Sequence, residues 1–149
     1  SRRLDASENG AQLQLLSETW IRRAGLDSAL REESYEQALS CLQELMARGQ
    51  APFAVRQNTA LVLEYLGRFE EAEEVLLQLQ EDFPQDYRPP MRLALLYADR
   101  EGNRTAGERD YTEFETAYRQ AVQLYDPSAA PDSEMTRLEE LAAQLGLSP

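Results

Sequence analysis

The stretch LEYLGRFEEAEEVLLQLQEDFP, from Leu63 to Pro84, decides the fold, because a glycine interrupts a sequence that is otherwise typical of helix. Its apolar residues recur every three or four positions, which is the spacing of one helical face. Gly67 is suited to ending a helix, since glycine adopts the left-handed backbone conformation without a steric penalty. Pro84 cannot continue a helix, because it has no backbone N–H. The stretch therefore predicts one helix that ends near Leu66 and a second that begins near Phe69 and stops at Pro84.

The second of these helices belongs to a pattern that recurs along the chain every 34 residues. Two copies share an aromatic residue, an alanine and two leucines: Tyr35, Ala38, Leu42 and Leu45, then Phe69, Ala72, Leu76 and Leu79. A third copy holds Tyr111, Phe114, Tyr118 and Ala121, each 42 residues after its counterpart. The eight extra residues fall in REGNRTAGER, residues 100–109, whose polar composition and two glycines predict a loop insertion.

The repeats predict helices near residues 52–66, 69–83, 88–100 and 110–125, paired as antiparallel hairpins. Capping boxes are predicted to open two of the second helices, because a serine or aspartate is followed three residues later by glutamine or glutamate. These pairs are Ser34 with Gln37 and Asp110 with Glu113.

Amphipathic segments flank the repeats. On the N-terminal side, one predicted helical face carries Leu13, Leu16, Trp20 and Ala24, and Gly25 is a candidate end for this helix. On the C-terminal side, PDSEMTRLEELAAQLG predicts a last helix over residues 132–146, which Gly146 stops. A terminal helix of this kind covers the open end of a stack of repeats.

The pattern resembles the tetratricopeptide repeat (TPR) family, in which a small residue, a turn glycine, an aromatic residue, an alanine and a closing proline recur every 34 residues. The second copy carries Ala60, Leu63, Gly67, Phe69, Ala72 and Pro84 at these and neighbouring positions. The first copy has Glu33 in place of the turn glycine, and the third has Phe114 where alanine is usual. The resemblance covers residues 19–127.

This resemblance implies an all-α fold: a right-handed α-α superhelix of three helical hairpins, the first degenerate, with a C-terminal capping helix. A single domain is expected over residues 1–149. It would comprise an N-terminal helix and a degenerate half-repeat over 1–33, the repeats over 34–127, and the cap over 132–146.

The composition argues against most catalytic mechanisms. The chain has no histidine, and all fifteen basic residues are arginine, so it lacks the usual general base near neutral pH and every lysine-dependent chemistry. The single cysteine, Cys41, is expected to be a small apolar residue of a helix rather than a nucleophile. A net charge of -12 disfavours binding to nucleic acid or to an anionic membrane. We therefore expect a non-enzymatic protein with no cofactor.

Two stretches are rich in oxygen-bearing side chains, which could suggest a metal site. Residues 99–110 resemble the start of a calcium loop, but glycine stands at its fourth position rather than the sixth. Glu70, Glu71, Glu73 and Glu74 lie at a predicted helix start, where the helix dipole stabilises acidic residues. A solvated insertion and a solvated helix face are therefore expected, and no metal.

The resemblance also implies a binding face, because the first helices of successive TPR repeats line a concave groove. Eight residues at such groove positions are the expected contacts: Arg23, Asn58, Leu61, Tyr65, Arg88, Met91, Arg92 and Leu95. Arg88 and Arg92 are four residues apart, so they would project from one helix face as a cationic pair. This set resembles the carboxylate clamp of chaperone-binding TPR domains, although Asp27 stands where an asparagine is usual. The alternative is that these arginines pair with acidic residues of the chain itself.

Three function classes follow. The first is a protein- or peptide-binding module that uses the groove, including a clamp for acidic peptide ends. The second is a structural or regulatory segment of a larger protein, such as a bacterial kinase or a membrane protein. The third, an enzyme, is disfavoured by the missing side chains. The sequence decides neither the oligomeric state nor the compartment: a cytoplasmic domain and an extracytoplasmic part of a longer protein both stay open.

Overall fold

The computed structural model describes residues 6–26, 31–49, 51–128 and 131–147. Within these ranges the regular structure is entirely helical, which confirms the predicted all-α class. The α-helices are α1 (Ala6–Leu26), α2 (Arg31–Ala47), α3 (Phe53–Tyr65), α4 (Phe69–Asp82), α5 (Arg88–Gly102), α6 (Thr112–Leu124) and α7 (Ser133–Gln144). A short 3-10 turn over Ala106–Glu108 lies between α5 and α6.

The four helices predicted from the repeats are confirmed to within two residues at each end. The predicted insertion begins later than expected, because residues 100–102 continue α5 and the irregular backbone starts at Asn103. The predicted C-terminal helix is also present, as α7. The superhelical arrangement of the hairpins and their grouping into a single domain stay predictions.

The contacts divide the chain into two compact units, and the boundary lies within α4. Unit 1 is Ser1–Val75 and unit 2 is Leu76–Pro149. In unit 1, α2 packs against both α1 and α3. The core of unit 1 includes the repeat residues of the first copy together with residues of α3: Tyr35, Ala38, Leu42, Leu45, Val55, Val62 and Leu63. This burial explains the period, because the recurring residues are the ones that face neighbouring helices.

In unit 2, α5 packs against α6, and α7 packs against both. Seven consecutive residues of α5, from Met91 to Tyr97, are buried, so this helix is enclosed on most of its faces. The other buried apolar residues come from α4, α6 and α7: Leu76, Leu79, Phe114, Ala117, Tyr118, Ala121, Met135, Leu138 and Ala142.

Two glycines end helices as predicted. Gly67 has a φ of 77° and Gly146 has a φ of 80°, both in the left-handed region. At the end of α3 the Arg68 N–H donates to the Leu63 carbonyl oxygen at 2.8 Å, and the Gly67 N–H donates to the Glu64 carbonyl oxygen at 2.9 Å. These are the two hydrogen bonds of a Schellman motif, which satisfies carbonyl groups that the end of a helix leaves unpaired.

Replacing Gly67 by alanine is expected to lower the free energy of unfolding by about 1–2 kcal/mol, because a Cβ atom is strained in the left-handed conformation. Gly25→Ala is the matched control. Gly25 lies within α1, does not have a positive φ, and leaves open space around an added Cβ. Alanine there should raise the free energy of unfolding by up to about 1 kcal/mol. Urea denaturation followed by circular dichroism measures both variants, and two effects of the same sign would contradict the prediction.

Both predicted capping boxes are wrong. Helix α2 begins at Arg31, so Ser34 lies inside its first turns, where its Oγ is buried and has no hydrogen-bond partner among the described residues. Helix α6 begins at Thr112, one residue too late for Asp110 to be its N-cap. Asp110 instead accepts hydrogen bonds from the N–H and the hydroxyl of Thr112 just before the helix. A serine or aspartate three residues before a glutamine or glutamate thus does not by itself fix the start of a helix.

The predicted N-terminal helix is present as α1, but its buried face differs from the prediction. Ala24 is buried, and Leu13 and Trp20 are half-buried, whereas Leu16 is 45% exposed. The buried positions of α1 include the small residues Ser17 and Gly10, and α1 packs against α2. Gly25 lies within α1, one residue before Leu26, where the description of α1 ends.

Candidate functional site

Four of the predicted groove residues lie in unit 1, and they differ in how far they are exposed to solvent. Arg23 is exposed, with its guanidinium carbon 5.4 Å from the centroid of the Trp20 ring. Asn58 and Leu61 are half-buried on α3, and Tyr65, at the end of α3, is 55% exposed. Asp27, the departure from the clamp pattern, lies outside the described residues. Of these four, Tyr65 offers the largest apolar surface to a ligand.

In unit 2, the other four groove residues lie on α5. Met91 and Leu95 are only 2% and 3% exposed, so they are core residues in this structure. Arg88 and Arg92 both engage acidic residues of the same unit, as the alternative interpretation of the arginines anticipated. The Arg88 guanidinium donates to both carboxylate oxygens of Asp86, at 2.9 Å from Nε to Oδ1 and 2.6 Å from Nη2 to Oδ2. Arg92 Nη1 lies 3.4 Å from Glu134 Oε2 of α7.

Electrostatics of the Arg88 pair agree with its geometry. The hydrogen bonds from the Arg88 side chain hold the pKa of the Asp86 carboxyl below its usual value. The backbone N–H of Arg88 also donates to Asp86 Oδ1, at 3.0 Å, which closes a compact turn before α5. Asp86 was not singled out in the sequence, although an aspartate two residues before a helix start is a common turn signal.

A pocket of unit 1 surrounds Tyr65, and we call it the tyrosine pocket. It is lined by residues from the start of α2 and the end of α3: Arg31, Glu32, Tyr35, Tyr65 and Leu66. Its volume is about 400 Å³, enough for one or two side chains of a ligand. Tyr35 and Tyr65 stack with their ring centroids 4.8 Å apart and their planes inclined by 13°.

Arg31, one of the two charged residues of this pocket, is held by a hydrogen bond to α1. Arg31 Nε donates to the Ala24 carbonyl oxygen at 3.1 Å, near the end of α1, where a cation is favoured by the helix dipole. Burial, followed by the nearby Tyr65 hydroxyl, raises the pKa of Tyr35. The pocket therefore presents a flat aromatic surface flanked by one guanidinium and one carboxylate. The repeat pattern placed Tyr35 in the core, and nothing in the sequence indicated that Tyr65 would stack on it.

The start of α7 forms a polar junction with α5 and α6. The Tyr87 hydroxyl donates to Asp132 Oδ2 at 2.5 Å, and the Asp132 N–H donates to the Tyr125 hydroxyl at 3.3 Å. The two tyrosine rings meet edge to face, 4.8 Å apart. Asp132 is also the N-cap of α7, because its other carboxylate oxygen accepts the Glu134 N–H. Burial and the hydrogen bond to Asp132 raise the pKa of Tyr87 to about 12.

Glu101 is a buried carboxylate that sequence analysis missed, because it stands in a stretch that predicted a solvated insertion. It is 0% exposed. Its Oε2 accepts from Arg100 Nε at 2.8 Å, and its Oε1 accepts from Arg104 Nη1 at 3.0 Å and from the Asp110 N–H at 2.9 Å. Glu101 therefore ties both ends of the 103–110 segment to the end of α5. No periodic signal marks such a residue, since its neighbours in sequence are polar.

The other sequence features that were considered for metal binding or reactivity do not form a site among the described residues. In the described part of the chain, no group of three or more acidic or cysteine side chains is arranged to hold a metal ion. The start of the supposed calcium loop, residues 99–102, belongs to α5. Cys41 is half-buried, and burial raises the pKa of its thiol, which disfavours the reactive thiolate. Among the described helices, each is too short or too polar to cross a bilayer.

Comparison with models of known protein families finds no match for the chain, and no curated protein is significantly similar to it. The resemblance to the TPR family therefore rests on the 34-residue period and on the residues that carry it.

Proposed function

We propose that the chain is a non-enzymatic helical-repeat module that binds a protein or peptide, with the tyrosine pocket as its main contact. The observation that carries this proposal is the state of Tyr65, which is 55% exposed yet stacked on the buried Tyr35. An exposed tyrosine held in one orientation loses little conformational entropy on binding and presents a large apolar face. Such residues supply much of the affinity at protein interfaces.

The lining of the pocket indicates which ligand groups would fit. The outer face of Tyr65 suits a flat side chain, such as an aromatic ring, a proline or a guanidinium group. Arg31 and Glu32 stand beside it with opposite charges, so the ligand would bring both a donor and an acceptor. A peptide segment meets these needs better than a small metabolite, because it carries backbone donors and acceptors next to its side chains.

The TPR-like superhelix and its capping helix are part of this proposal. They are supported by the period of the buried residues and by the left-handed glycine between α3 and α4. A role as a binding segment within a larger multidomain protein is compatible with the same pocket. A clamp for acidic peptide ends on α5 has less support, because Arg88 and Arg92 already face Asp86 and Glu134.

The test is a comparison of Tyr65→Ala with the wild type and with Leu15→Ala. Leu15 is the matched control, because it is an exposed apolar residue of α1 outside the pocket. Partners captured by the wild-type protein would be quantified for each variant, and the strongest purified for affinity measurement. We expect Tyr65→Ala to weaken binding about tenfold or more, and Leu15→Ala to leave it unchanged. Equal affinities for wild type and Tyr65→Ala, with both proteins folded, would contradict the proposed contact.

A further inference from the structure

We infer that α7 is an internal ligand of α5: it covers Arg92 as an acidic helix of a partner would, and it opens away while α5 and α6 stay folded. The inference deepens the proposed function by naming a second contact surface and the kind of helix that fits it. It concerns unit 2 alone, so it can fail or hold independently of the tyrosine pocket in unit 1.

The first turn of α7 brings two carboxylates to the first turn of α5. Glu134 Oε2 lies 3.4 Å from Arg92 Nη1, and Arg92 is buried. Asp132 accepts from Tyr87, the residue that immediately precedes α5, and its charge also acts on Arg88. The arginine pair that the sequence predicted as a binding site for acidic groups is thus next to acidic groups supplied by the chain's own last helix.

The ion pair at the centre of this contact is incompletely made. Glu134 Oε2 is buried, yet it has no hydrogen-bond partner among the described residues. Two guanidinium nitrogens lie near it, Arg92 Nη1 at 3.4 Å and Arg137 Nη1 at 3.8 Å, and both distances are longer than a charge-assisted hydrogen bond of good geometry. Because this oxygen has no hydrogen bond, the ion pair stabilises the docked state less than a fully hydrogen-bonded pair would. A helix whose carboxylate is fully hydrogen-bonded at this position would therefore compete with α7.

The buried residues of α7 define what a competing helix must carry. Met135, Leu138 and Ala142 are at most 1% exposed, and they lie at spacings of three and four residues on one face. Two carboxylates precede them, at positions 132 and 134. The partner is therefore an amphipathic helix with an acidic first turn and apolar residues at the fourth, seventh and eleventh positions, counted from its first carboxylate. Helices of this kind bind in grooves by the same spacing of anchors.

Hydrogen exchange of the full chain tests the opening. If α7 opens by itself, amides in its middle, such as that of Leu138, should exchange about tenfold or more faster than those of Leu95 and Leu96 in α5. The double variant Asp132→Asn with Glu134→Gln should speed exchange of α7 about tenfold further, without affecting α5. Asparagine remains a good N-cap, so this variant removes charge and not the helix start. Glu140→Gln, an exposed site of α7, is the matched control and should change nothing.

Binding in trans tests the ligand role. The probe is a fluorescent synthetic peptide of residues 131–147, added to the full chain. Its affinity should rise by the same factor, about tenfold, by which the double variant opens α7, because the apparent dissociation constant scales inversely with the open fraction. The peptide with Asp132→Asn and Glu134→Gln should bind more weakly than the wild-type peptide. Exchange of α7 in step with α5 and α6, or equal peptide affinity for both proteins, would overturn the inference and make α7 an integral core helix.

Discussion

Phe114→Ala is expected to lower the free energy of unfolding by about 3–5 kcal/mol, although alanine is the usual residue at this position of the repeat that the sequence resembles. The expected loss is a large share of the stability of an ordinary small domain, which is about 5–15 kcal/mol. The TPR resemblance taken alone would favour a neutral or stabilising effect. This variant therefore distinguishes an expectation based on the repeat pattern from one based on the packing in the structure.

The reason lies in the packing around Phe114. The side chain is fully buried, its ring lies parallel to that of Tyr118 with the centroids 6.1 Å apart, and it meets Tyr111 edge to face at 6.2 Å. Alanine would remove the ring from both contacts and leave a cavity between α6 and its neighbours in unit 2. The cost combines the lost burial of apolar surface with the cavity that the surrounding helices only partly fill.

Denaturation followed by far-ultraviolet circular dichroism measures this effect. Tryptophan fluorescence is unsuitable as the only probe, because the single tryptophan, Trp20, lies in unit 1. Phe114→Leu is the matched control: it keeps most of the side-chain volume and should cost less than about 1.5 kcal/mol. If Phe114→Ala were as stable as the wild type, the aromatic packing of α6 described here would be wrong.

Glu101→Gln is expected to lower the free energy of unfolding by about 2–3 kcal/mol, because it removes the charge that pairs with two arginines in a buried site. Glutamine keeps an oxygen for the Asp110 N–H, but its NH2 group would face an arginine donor. The attachment of the 103–110 segment to α5 should then be weaker. Glu108→Gln is the matched control, because Glu108 is exposed in the same segment.

The same carboxylate predicts the pH dependence of stability. The Asp110 N–H, and after it the two arginines, hold the pKa of Glu101 below its ordinary value of 4.5. Because the folded-state pKa is lower than the unfolded one, the stabilisation is fully present above pH 4.5 and is lost as the pH falls through the folded-state pKa. The stability difference between wild type and Glu101→Gln should therefore shrink as the pH falls below 4.5.

Denaturation curves of both proteins across that pH range give the measurement. A difference that stays constant down to the acid end would show that the Glu101 charge does not act in the way its contacts indicate. Hydrogen exchange at Asp110 provides a local measurement, since its N–H is bonded to Glu101 Oε1. Its protection should fall in part in Glu101→Gln, because a neutral amide oxygen is a weaker acceptor than a carboxylate.

The helices themselves were predictable from local sequence. The positions of α3 and α4 follow from Gly67, because only a residue that tolerates a positive φ can occupy the turn between them. The bounds of α5 were also predicted from the repeat, but its buried face was not, because Met91 and Leu95, predicted as groove residues, are core residues. The bounds of a helix depend on backbone geometry and on the period of its apolar residues, and both can be recognised from residues close together in the sequence.

Tertiary structure decided which polar residues matter. Tyr65 became a candidate contact because it stacks on Tyr35, thirty residues away in sequence. Arg92 became part of an internal contact because α7 places Glu134 beside it. Glu101 became a buried anchor because the chain after α5 folds back over it. The aromatic stack and the ion pair between α5 and α7 form between residues far apart in the chain. None of these contacts, including the local ones of Glu101, has a period in the sequence, so only the folded structure brings them to light.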